Sequence, residues 1–240
     1  MKLVLELLFI AILIICTWGG YKKGLVMTLG SILIIVISLF VGDLLSDTFS
    51  HEPVSVLRPF VAGYMEGENG AIETSFDEVR GNGTDVLSIE DTIELHPEIS
   101  FDLCRLSFEK LGVFPTTAEA MAEEASGLYA QGGITVSTAI VEVMCNKLTY
   151  YIGFILFFAI AVILLTVLGN ISNVSFKIPD ADKLNTIGGA LSGVVVGFLF
   201  CALLAWILKF AGSILPEEAM EGAITSMFMK LDTLSKYLSI

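Results

Sequence analysis

Positive charge is scarce in this chain: its 240 residues carry 13 Lys and Arg against 26 Asp and Glu. Nucleic-acid surfaces need clustered cations to neutralise phosphate, so this balance argues against such a partner. Histidine is nearly missing, with only His51 and His96. His51-Glu52 and Glu94-x-His96-x-Glu98 are the sole cation-binding candidates. The second set would converge only in extended backbone, which Pro97 disturbs, so both read as solvated loop. The four cysteines match no zinc spacing. Cys16 and Cys201 lie in apolar stretches and read as small packing residues. Cys104 and Cys145 read as free thiols, with pairing open to them if their region is extracytoplasmic. No P-loop, nucleophile elbow or HExxH run is present. The expectation is a protein that is no enzyme and takes no cofactor.

Long uncharged stretches are abundant instead. Leu7 to Tyr21, Gly24 to Gly42, Leu148 to Asn170 and Leu184 to Leu208 contain no Asp, Glu, Lys or Arg. A helix of roughly 20 apolar residues crosses the hydrocarbon core of a bilayer. Three of the stretches reach that length unaided, and the first does so by taking in Leu3, Val4, Leu5 and Glu6. The runs are continuous rather than alternating, so they predict helices, which satisfy their own backbone in lipid. Mean hydropathy of +0.80 and 55% hydrophobic residues agree. The fold class expected is an all-α integral membrane protein with four transmembrane helices in two hairpins. The first run, with Lys2 before it, resembles a secretory leader. Glu6 interrupts it and no small-x-small site follows, so it reads as a retained helix.

The four predicted parts are a first hairpin over 1–45, an insert over 46–147, a second hairpin over 148–210 and a tail over 211–240. The hairpins turn through Gly19 to Gly24 and through the polar link Asn170 to Lys183. Acidity is concentrated in the insert. Ser46 to Leu148 holds 18 acidic and 5 basic residues, a net of −13, and the remainder is neutral. Such a face reads as solvated, and as averse to lying flat on anionic lipid. Val54, Leu57, Phe60 and Val61 predict a short helix with Arg58-Pro59 near its middle. Glu66 to Asp85 reads as loop. Ile99, Leu103, Leu106 and Leu111 predict a helix after Pro97. Thr116 and Glu119 suggest a capping box after Pro115. The helix beyond it is expected to break at Gly132-Gly133 before the third span.

In the tail, Met220, Ile224, Met227, Leu231, Leu234 and Leu238 repeat at steps of four and three. This is a heptad seam, ready to pack on the insert, lie at the membrane surface or self-associate, in that order of preference. In the fourth span, Gly189, Gly193 and Gly197 recur every four residues, with Cys201 and Ala205 in phase. A ridge of small residues, a glycine zipper, lets another backbone approach closely. Ser38 and Gly42 in the second span are a weaker match and a candidate partner surface, and packing on a helix of the same chain or on a second copy are both open. Lys and Arg near span ends are almost evenly divided, but Lys22-Lys23 concentrates them at one turn. By the positive-inside rule this favours both termini, and hence the insert, outside.

Gly20-Tyr21-Lys22-Lys23-Gly24 and the run Asp182-Lys183-Leu184-Asn185-Thr186-Ile187-Gly188-Gly189, continuing through Gly193 to Gly197, resemble the colicin V production protein (CvpA) family. The likeness covers the membrane part, about 110 residues. That family often has Arg before its last glycine, where this chain has Val196, and its insert is usually shorter. The resemblance implies a multi-pass protein of the bacterial cytoplasmic membrane, associated with toxin (colicin V) production and export or with the cell envelope. It implies no reaction. The expected function is a scaffold or accessory protein whose partners are the lipid bilayer, an unknown membrane or extracytoplasmic protein and a possible homo-oligomer, with no nucleic acid. The alternative is an oligomeric channel or small transporter, lined by the glycine-rich fourth helix and with Glu6 and Asp43 near its mouth.

Overall fold

A computed structural model describes residues 2–80, 87–171, 182–210 and 222–230, with backbone alone at 170 and 171. All regular structure among them is helical. In chain order the helices are α1 (Lys2–Lys23), α2 (Leu25–Phe49), α3 (His51–Met65), α4 (Ala71–Val79) and α5 (Ile89–Leu95), then α6 (Ile99–Lys110), α7 (Pro115–Ala130), α8 (Val136–Ile171), α9 (Asp182–Phe210) and α10 (Ala223–Lys230). Four of them, α1, α2, α8 and α9, are long and apolar enough to cross a membrane. The chain is an all-α membrane protein.

Two compact units divide the chain. The first comprises Met1–Asp47, Gly153–Leu208 and Leu215–Ser239. In it, α1 lies backbone to backbone on α9, as detailed below. Gly42 on α2 meets Phe158 on α8, and Gly153 on α8 meets Ser46 on α2. Phe154 on α8 sets its ring edge-on to Trp206 on α9 with centroids 4.8 Å apart. Leu3, Ile14, Phe40, Ile163 and Leu191 are left outside these contacts and exposed. In water such a surface would aggregate, and in lipid it costs nothing.

The second unit comprises Thr48–Ile152 with Lys209–Ile214. It has a core of its own, built from Met65, Ile72, Phe76, Ile93, Leu103, Phe108, Met121 and Ile140. Local chemistry shapes its helices. Ser88 caps α5 by accepting from Asp91 N–H at 3.1 Å. Pro115 opens α7 at the first turn, where a missing N–H costs nothing. Gly132 and Gly133, at φ +81° and +94°, end the segment before α8, where the sequence predicts a break. α8 follows and is 36 residues long.

Three local expectations are corrected. Glu66 to Asp85 is not all loop, because α4 lies within it and buries Ile72, Ser75 and Phe76. Its acidic residues mask the short apolar face that Ile72 and Phe76 form. Thr116 caps nothing. Phe114 is the N-cap residue of α7, with no side-chain cap bond, and Thr116 is already helical. The turn between the first two spans is not Gly19 to Gly24 but Gly24 alone, since α1 extends to Lys23 and α2 starts at Leu25.

Candidate functional site: a glycine-lined helix contact and its asparagine cap

The α1–α9 contact is built from glycine on both sides. A Cβ placed on Gly20 would overlap the carbonyl oxygen of Gly189 and lie 2.8 Å from Gly193 Cα. A Cβ placed on Gly189 would in turn overlap the carbonyl oxygen of Gly20 and lie 2.8 Å from Gly24 Cα. On Gly193 it would come within 2.6 Å of Cys16 O and 3.0 Å of Thr17 Cα. On Gly197 it would lie 3.2 Å from Leu13 Cα. The obstacles are mostly backbone atoms, which have no rotamer to yield. Two helices this close gain dispersion along their whole contact, the term that drives helix association in lipid.

The ridge of Gly189, Gly193 and Gly197 therefore packs against another helix of the same chain. That helix is α1, and not the candidate surface at Ser38 and Gly42. Gly42 instead meets Phe158 on α8, where its Cβ position lies 3.3 Å from Phe158 Cα. Ser38 is fully buried on α2, and its hydroxyl has no hydrogen-bond partner among the described residues. In phase with the ridge, Cys201 points its Sγ at Phe9 O, 3.6 Å away.

A polar clamp closes one end of this contact. Gly24 has φ +83°, a left-handed conformation in which L side chains are strained. The reversal leaves the first N–H groups of α2 without intrahelical acceptors. Asn185, from the first turns of α9, supplies one: its Oδ1 accepts from Leu25 N–H at 2.9 Å. Its amide packs where a Gly24 Cβ would be, with Nδ2 and Oδ1 at 2.5 and 2.7 Å from that position. Thr28 Oγ1 donates to Gly24 O at 2.7 Å. Gly20 and Gly24 of the basic turn thus face α9, whereas Lys22 and Lys23 are exposed. Lys22 Nζ sits 5.3 Å from the centre of the Trp18 ring, which stacks on Tyr21. Sequence reasoning assigned Asn185 and Thr28 no role. The available signal was an amide opening an otherwise uncharged span.

The other end of α1 meets α10. Phe9 stacks on Phe228 at 5.4 Å, and Phe198 of α9 approaches the same ring at 5.1 Å. Thr225, Phe228 and Met229 form the buried face of α10. The predicted seam is offset from that face: Ile224 is half-buried and Met227 exposed, and Met220, Leu231, Leu234 and Leu238 lie outside the described residues. The described part of the tail packs on α1 rather than on the insert. The apolar spacing is real, but Phe228, off the seam, is the side chain that fills the gap beside Phe9. Glu6 lies at this end too, its Oε1 2.7 Å from a Gly222 Cβ position, just before α10 begins. A carboxylate there complements the positive end of the helix.

An open apolar groove of about 320 Å³ runs beside the contact, lined by Ile12, Ile15, Cys16, Phe200, Leu203 and other aliphatic side chains. In the second unit some ionic contacts lie within one turn of chain and others join separate helices. His96 Nδ1 lies 3.1 Å from Glu98 Oε1, and Lys147 Nζ lies 2.9 Å from Glu124 Oε2. Cys104 and Cys145 are buried free thiols of one core, and burial pushes the Cys104 thiol up to about 12. Among the described residues no three His, Cys, Asp or Glu side chains are grouped to hold a metal ion. No protein-family model matches the chain, and no curated protein or solved structure matches it either.

Proposed function

We propose that this protein is a non-catalytic, multi-pass membrane scaffold, whose acidic helical insert is the part that meets other proteins. One observation carries the reading. The glycine face of α9, the surface an oligomeric pore would need, is occupied by α1 of the same chain from Leu13 to Gly24. A face spent on internal packing makes a rigid platform rather than a gate.

Other features support it. The groove beside the contact is apolar and suits hydrocarbon better than a hydrated ion. Glu6, the first carboxylate a channel mouth would use, lies at the start of α10. The insert carries the net charge of −13 on a hydrophobic core that α4, α6 and α7 share with the first turns of α8, as an outward-facing docking module would. The resemblance to the colicin V production family adds a setting. We place the protein in the bacterial cytoplasmic membrane, with both termini and the insert outside, in toxin production and export or in envelope maintenance.

Reconstitution into liposomes, with conductance recorded with and without membrane tension, tests the reading against a channel. The scaffold predicts silence from a folded, inserted sample. Reproducible single-channel steps would overturn it. Photo-crosslinking from exposed insert positions in cells is expected to capture a discrete protein partner.

A further inference from the structure

Helix α3 is apolar on both sides. Its inner side packs Val54, Val61, Ala62 and Met65 on the core of the second unit. Its outer side carries Val56, Phe60 and Tyr64, spaced i, i+4 and i+8, with 66%, 75% and 74% of their surfaces exposed. Residues so spaced share one helix face. Beyond Glu52 that face has no charged residue. Arg58 is directed elsewhere, to Glu142 Oε2 at 3.3 Å.

Chain continuity says what covers this face. The membrane-crossing helix α2 ends at Phe49 and α3 begins at His51, with Ser50 alone between them. At 1.5 Å per residue the 25 residues of α2 span about 37 Å, more than the ~30 Å of hydrocarbon. Its last turns, with Asp43 and Asp47, therefore lie at the membrane boundary, and α3 starts there. Charge agrees. The insert as a whole would be repelled by anionic lipid, but α3 holds one acid, Glu52, and one base, Arg58. Tyr64 is the kind of side chain that sits at headgroup depth, and Phe60 the kind that an interfacial helix buries beneath it.

We propose that α3 is an interfacial helix: its Val56–Phe60–Tyr64 face lies in the headgroup region of the bilayer and holds the acidic insert at the membrane surface. The occupant of the face is phospholipid, not protein. The test uses the full-length protein in vesicles of phosphatidylcholine and phosphatidylglycerol. In a Cys16→Ser background, nitroxide labels are placed at Phe60→Cys, Tyr64→Cys and, on an exposed site of α7, Glu123→Cys. The labels at 60 and 64 replace exposed side chains and leave the core intact. Their collision ratio of oxygen to a water-soluble nickel complex is expected to exceed that at 123 several-fold. A ratio equal to that at 123 would mean the face is solvated and would overturn the proposal. Protection from both quenchers at 60 and 64 would mean that protein covers the face, and would overturn it equally.

Discussion

The side-chain oxygen of Asn185 accepts a 2.9 Å hydrogen bond from the backbone N–H of Leu25, 160 residues away in the chain. One helix caps the start of another where the first span turns back, and the Gly24 turn and the glycine contact meet at that point. Asn185→Leu leaves that N–H without an acceptor in an apolar setting and is expected to cost about 1–3 kcal/mol. Asn185→Asp keeps an acceptor and should cost less. Unfolding in mixed detergent micelles measures both, and equal stability of Asn185→Leu and wild type would remove the cap from the account.

Glycines in the same spans should differ sharply. Gly193→Ala places a Cβ 2.6 Å from Cys16 O, so the helices must separate, at about 1–3 kcal/mol. Gly19 has nothing within 4 Å of its Cβ position. Gly19→Ala is expected to be neutral or to stabilise by up to about 1 kcal/mol through helix propensity. The same unfolding assay reads the contrast. Two variants of like effect would mean that close approach is not what these glycines provide.

Phe228 is 2% exposed and Met227 50%. Phe228→Ala opens a gap beside Phe9 and should cost about 3 kcal/mol, making the tail sensitive to protease. Met227→Ala should stay within about 0.5 kcal/mol. The reverse order would restore the heptad seam as the packing face.

Burial pushes the thiol of Cys104 up to about 12 from its ordinary 9.0. A raised folded value favours the protonated form, so this contribution to stability is complete below pH 9 and is lost as pH rises through 12. The slope is at most about 1.4 kcal/mol per pH unit. The stability difference between wild type and Cys104→Ala is therefore expected to shrink between pH 8 and pH 10.5. A pH-independent difference would show that the thiol titrates alike in the folded and unfolded chain, so that burial does not raise it. Native protein should also resist alkylation at Cys104 until it unfolds.

Much of the membrane part was legible because lipid imposes one rule on long segments: stay uncharged and helical. Gly189, Gly193 and Gly197 were legible as a ridge for the same kind of reason, since a four-residue period marks one face. The partner of the ridge was not legible. Ser38 and Gly42 have the right residue types but belong to the helix that meets α8, and residue type does not rank one small-residue face against another. α4 was missed because three buried side chains among acids and glycines look like a loop until the core of the second unit takes in Ile72 and Phe76. The seam of the tail was read from spacing, whereas packing selected Phe228 by the shape of the gap beside Phe9.

By itself the sequence determined the solvent of this protein, the number of its spans and the acidity of its insert. Each follows from local composition, because the cost of charge in hydrocarbon is met residue by residue. Only the tertiary structure decided that α9 spends its glycines on α1, that Asn185 caps α2, and that α3 turns Val56, Phe60 and Tyr64 outward. These depend on which surfaces meet, and complementarity between distant segments is a property of pairs that no single stretch of sequence carries.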